Sequence, residues 1–80
     1  MPVTVNVVLF QRSQQVYRDG VLYGEVDILD LPKLLLDAGG EDAEIYIGGP
    51  HVYTEQLKAR TESEALMLYG KKPQINLIGE

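Results

Sequence analysis

Any chemistry this chain performs must come from a short list of side chains. The most suggestive stretch is Gly48-Gly49-Pro50-His51, between an alternating apolar segment and charged, helix-friendly sequence. A strand that turns through glycines into a helix can offer backbone N–H groups to an anion. Gly48, Gly49 and His51 are therefore candidate anion- or nucleotide-binding residues, with Tyr53 nearby. The motifs that make such a site specific are missing: there is no G-x-G-x-x-G, no G-x-x-x-x-G-K-[ST], and no lysine after the loop before Lys58. Pro50 also removes one donor. The competing reading is a tight strand-to-helix connector.

His51 is the single histidine, so no His-His metal pair can form within one chain, and no cysteine exists to supply a thiolate. No serine stands at a recognisable spacing from His51, and Ser13 and Ser63 lie in polar stretches without a nucleophile elbow. No catalytic residue is assigned. The acids form two groups, Glu25 and Asp27 with Asp30 behind them, and Glu41, Asp42 and Glu44. Neither has the spacing of a calcium loop, and solvated charges that discourage sheet pairing explain Glu25 and Asp27 equally well. No metal site and no cofactor is expected.

Tyrosine is the unusual component: Tyr17, Tyr23, Tyr46, Tyr53 and Tyr69 stand against one phenylalanine and no tryptophan. A large apolar ring with a polar tip suits protein interfaces. Tyr17 and Tyr23 fall on opposite faces of a predicted hairpin, so at least one is hard to bury in a two-layer domain. Tyr46 lies opposite Ile45 and Ile47. These three are the interface candidates, and the alternative is ordinary half-exposed strand tyrosine.

These residues need elements to hold them. "VTVNVVLF" is a strand with Val3, Val5, Val7 and Leu9 on one face; Val8 and Phe10 add apolar groups to the other, so a central strand covered on both sides in its second half is expected. Asp19-Gly20 supplies the positive φ angles of a type I′ hairpin turn, pairing Arg18 with Val21 and Val16 with Tyr23, and Gly24 marks a bulge or close approach. "DLPKLLLDAGG" reads as a helix with Asp30 as N-cap, a Leu31, Leu34, Leu35, Ala38 stripe and Gly39 as its left-handed stop. "AEIYIGG" is the next strand. Tyr53, Leu57, Thr61, Ala65 and Leu68 then recur at helical spacing, predicting one helix over roughly residues 53–69. The alternative is a strand over residues 51–57 and a helix starting at Thr61, where "TESE" is a capping box. Gly70 ends the helix, Lys71 and Lys72 complement its negative end, and Pro73 leads into the strand "QINLI".

The predicted fold is α/β (or α+β): a small mixed sheet in the order β-β-β-α-β-α-β, with an early antiparallel hairpin and two helices packed on the sheet. This order resembles that of the core of ribonuclease H-like domains. The resemblance covers element order and no motif, and implies an alternative topology. Such nucleases carry acidic metal ligands on the first strand, whereas residues 3–10 contain no acid.

Eighty residues make a single domain, residues 1–80, which buries only about 60% of its unfolded surface. The net charge is −5, twelve acids against seven lysines and arginines, so direct nucleic-acid binding is not expected. No run approaches the ~20 apolar residues of a membrane span, and no signal-peptide pattern is visible, so a cytoplasmic location is expected. The function expected is protein–protein binding or homo-oligomeric assembly, with a second copy or another, basic, protein as partner. Two rivals stand beside it: the anion site at Gly48, Gly49 and His51, and an acidic inhibitor occupying a basic site on a nucleic-acid-handling protein.

Overall fold

A computed structural model describes residues 3–9 and 13–78. Phe10, expected on the second face of the first strand, lies outside the described residues, as does Arg12. The strands are β1 (Thr4–Val8), β2 (Ser13–Arg18), β3 (Val21–Asp27), β4 (Glu44–Gly48) and β5 (Gln74–Ile78). The helices are α1 (Leu31–Gly39), entered through a single 3₁₀ turn at Ile28–Asp30, and α2 (His51–Tyr69). One mixed sheet runs β3-β2-β1-β4-β5, antiparallel among β1, β2 and β3 and parallel among β1, β4 and β5.

The hairpin forms where Asp19 (φ 50°) and Gly20 (φ 85°) take the two left-handed positions. Asp19 also serves the centre of the sheet. Its Oδ1 accepts from the Thr4 N–H at 3.0 Å, and its own N–H donates to the Thr4 carbonyl at 2.8 Å. Arg18 faces Val21 as expected, but Val16 faces Gly24 rather than Tyr23, because the register shifts between Val16 and Tyr17. The bulge lies against α1, where a side chain at Gly24 would begin 3.4 Å from the Leu34 methyls, in ordinary van der Waals contact. The bulge turns Tyr23 to the same side, where its hydroxyl donates to Asp37 on α1 at 2.7 Å.

Asp30 stands at the α1 N-cap position, yet its side chain makes no cap bond. Its backbone is already helical (φ −96°, ψ −1°), because the 3₁₀ turn runs straight into α1. Leu36 is fully buried and Leu34 only partly, so the buried arc is wider than the expected single stripe: α1 packs on both the sheet and α2. The stop is Gly40, one residue beyond the expected Gly39, with a positive φ of 72° but a ψ of −157° that lies outside the left-handed helical region. Gly39 ends the helix itself, and a Cβ there would collide with Ala43.

The strand over residues 51–57 does not form. The Pro50 carbonyl accepts from the N–H groups of Tyr53 and Thr54, both at 3.0 Å, and one helix runs through to Tyr69. Its buried line is Thr54, Leu57, Thr61 and Ala65, whereas Tyr53 and Leu68, placed on the inner stripe from their spacing, are exposed. Thr54 takes the inward place because its hydroxyl bonds the His51 carbonyl at 3.1 Å. Gly70 (φ 75°) stops the helix as expected. Lys71 reaches Asp42 (3.1 Å) and Glu41 (3.7 Å), tying the two loops together.

Both crossovers, β3-α1-β4 and β4-α2-β5, step the same way across the sheet. Right-handed connections then lay both helices on one side, and the two do pack against each other. The core lies between them and the sheet: Val5, Val7, Val16, Ile45 and Ile47 from the strands meet Leu31, Leu35, Leu36, Leu57 and Ala65. Among the described residues the other face of the sheet carries no helix. Val8, expected to be covered, is 52% exposed there.

Candidate protein-binding face

Strand alternation decides what the bare face displays. Val5 and Val7 point to the core, so Thr4, Asn6 and Val8 point away from it. Cross-strand register then aligns one row over all five strands. Tyr17 pairs with Leu22 on one side and Asn6 on the other, Asn6 with Tyr46, and Tyr46 with Asn76. A second row runs Val8, Gly48, Ile78, with the two side chains half exposed, and a shallow hollow lies between Asn6, Val8, Gln15 and Tyr17.

The two tyrosine rings of the row are held by acceptors two residues back on their own strands. Tyr17 donates to Gln15 Oε1 at 3.2 Å and Tyr46 to Glu44 Oε2 at 3.2 Å. The hydrogen bond to Glu44, reinforced by its charge, raises the Tyr46 pKa above the usual phenol value. At the margin Ser13 donates to Glu25 Oε2 at 2.9 Å. The face is neutral to acidic. Among the described strand residues the one cation is Arg18, which pairs with Val5 and Val21 and belongs to the helix side.

Of the three tyrosines singled out from sequence, Tyr17 and Tyr46 therefore meet on one surface and Tyr23 does not. Tyr23 faces α1, where the hydrogen bond to Asp37 raises its pKa above the usual phenol value. Asn6, Asn76, Val8 and Ile78 were missed. For the asparagines a signal was present: each stands between two apolar residues, Val5-Asn6-Val7 and Ile75-Asn76-Leu77.

The glycine loop is occupied by the fold. The Gly48 carbonyl accepts from the Leu9 N–H at 2.9 Å, and the Gly49 N–H donates to the Ile78 carbonyl at 3.3 Å. Gly49 has φ 133°, and a Cβ on it would lie 3.1 Å from Leu9 Cβ. His51 is exposed and contacts Glu55 through Nε2 at 3.2 Å, which puts a carboxylate where an anion would approach. The acids do not converge either. Among the described residues no group of three or more His, Cys, Asp or Glu is placed to hold a metal ion. β1 shows Thr4, Asn6 and Val8 to the bare side, so the element order shared with ribonuclease H-like domains comes without their first-strand acid. Lys71 has a raised pKa through its hydrogen bond and charge interaction with Asp42, with Glu41 adding to both. No helix of the described residues is long and apolar enough to cross a membrane.

Compared with known proteins, the chain matches no family model, no curated protein and no solved structure.

Proposed function

We propose that this chain is a binding and assembly domain that docks protein on the bare face of its sheet. One observation carries the reading: both helices share one side, leaving the row Leu22, Tyr17, Asn6, Tyr46, Asn76 with Val8 and Ile78 beside it. Tyrosine rings supply large contact area with little rotamer entropy to lose, and the asparagine amides supply donors and acceptors between them. The charge supports a protein rather than a nucleic acid. Phosphate binding needs cations, and the face has Glu25, Asp27 and Glu44 at its margins instead. A partner that contributes arginine or lysine at its rim fits best.

Photo-crosslinking tests this. A benzophenone amino acid replaces Tyr17 in one variant and the exposed Ser63 of the helix layer in another, and both are irradiated in cells of the source. The expected result is a discrete adduct from position 17, competed away by excess parent chain but not by the Tyr17→Ser, Tyr46→Ser double variant. Adducts from position 63 alone, or competition by both competitors equally, would refute the reading.

A further inference from the structure

The two edges of the sheet differ. β3 carries Glu25 and Asp27, and a bulge interrupts its pairing with β2. Those are devices that prevent edge-to-edge pairing. β5, Gln74-Ile75-Asn76-Leu77-Ile78, has no charge, no proline and no register shift against β4. Its helix-side residues Ile75 and Leu77 pack on the core yet remain only partly buried, because β5 is the last strand of the sheet and no described strand lies beyond it. The Gly49 N–H reaches the Ile78 carbonyl, so that carbonyl points towards β4. Backbone groups alternate along a strand, which turns the N–H and C=O of Leu77 and Ile75 outward, along the open edge.

From this we infer that β5 pairs antiparallel with β5 of a second copy, about a two-fold axis at Asn76. In that register Ile75 of each copy faces Leu77 of the other, and each such pair exchanges both N–H···O=C bonds. The outward groups of β5 are thereby satisfied by an identical strand. On the helix side Ile75 and Leu77 meet their apolar counterparts and the core continues across the axis. On the bare side the two Asn76 amides come together, each able to donate to the other's oxygen. No like charges oppose one another, and the two-fold closes, so the contact stops at a dimer. The pairing doubles the five-stranded sheet and joins two bare faces into one surface. It deepens the assembly role proposed above and rests on that reading only for the use made of the joined faces. A short strand pair is a small interface, so the dimer is concentration-dependent.

Sedimentation equilibrium of the full chain should show the mass rising from 8.9 kDa towards twice that value with concentration. Asn76→Lys and Asn76→Asp each place like charges directly opposite at the axis, where a non-bonded pair has its Cα atoms about 4.5 Å apart. Each variant alone should stay monomeric, and an equimolar mixture of the two should recover the dimer. Tyr17→Ser should leave the mass unchanged, so a failed docking face and a failed edge give different results. In the parent chain, amide exchange at Ile75 and Leu77 should slow as concentration rises, a readout that needs no variant. A mass that stays at 8.9 kDa into the millimolar range overturns the inference. So does dimerisation of Asn76→Lys alone, or exchange at Ile75 and Leu77 that ignores concentration.

Discussion

Gly49→Ala separates a structural connector from a ligand loop, and its cost can be worked from the geometry. Two penalties act at once. At φ 133° the backbone is in a region closed to residues with a Cβ, which costs about 1–3 kcal/mol. The new Cβ also meets Leu9 Cβ at 3.1 Å, and Leu9 is buried and hydrogen-bonded through its N–H to Gly48, so neither side yields easily. Overpacking of this kind adds about 1–3 kcal/mol. The sum is roughly 2–6 kcal/mol, a large share of the few to about 12 kcal/mol expected for a domain of this length. Gly20→Ala is the control. It has a positive φ of 85° but nothing within 4 Å, so only the backbone penalty of about 1 kcal/mol applies. Urea unfolding followed by circular dichroism measures both, in phosphate buffer and in phosphate-free buffer. The expected result is a Gly49→Ala loss at least twice that of Gly20→Ala and equal in the two buffers. Equal losses for the two variants would refute the argument from the Leu9 contact. A parent chain that gains stability from phosphate, with Gly49→Ala abolishing the gain, would instead establish an anion site at Gly48, Gly49 and His51.

Gly20→Val should destabilise by roughly 1 kcal/mol or more, because a β-branched residue resists positive φ, and an unchanged melting temperature would contradict the turn. Thr61 is fully buried and its hydroxyl has no hydrogen-bond partner among the described residues. Thr61→Val should therefore stabilise by about 1 kcal/mol, since an unpaired buried hydroxyl costs about 1–3 kcal/mol, and a clear loss in a thermal melt would mean that the hydroxyl is paired. The pKa values of Tyr23, Tyr46 and Lys71 are all raised in the fold. A raised pKa means the folded state holds the proton more tightly, so this stabilisation is complete below about pH 10 and is lost as pH rises above it. Tyr23→Phe should flatten that alkaline loss in pH-dependent unfolding, and an unchanged slope would show that the Asp37 hydrogen bond is not made in solution.

Much of the local structure was legible because single residues dictate it. Asp19-Gly20 permits little but a tight hairpin turn, Gly70 and Pro73 punctuate the end of α2, and alternation sets Tyr46 against Ile45 and Ile47. The misreadings occur where tertiary contact overrides spacing. Tyr23 loses Val16 as a partner at the bulge and bonds Asp37 of α1 instead, a contact that joins residues from different elements. Leu36 is buried because α1 touches α2 as well as the sheet. Tyr53 yields its inward place to Thr54, whose hydroxyl finds the His51 carbonyl. The bare face was hidden for a broader reason. Which side stays uncovered depends on the strand order and on both crossovers stepping the same way, and hydrophobic periodicity carries neither. Asn6 and Asn76 gain meaning as a pair only once β1 and β5 are known to flank β4.

The tyrosines provide their own test of the docking face. Hydroxyl-radical footprinting, read residue by residue by mass spectrometry, compares the purified chain with the same chain isolated in complex from its source. Tyr17 and Tyr46 should lose several-fold in oxidation in the complex, while the exposed Tyr53 of α2 keeps its rate. Protection of Tyr53 with unchanged oxidation of Tyr17 and Tyr46 would contradict the account, because the partner would then sit on the helices and leave the sheet bare.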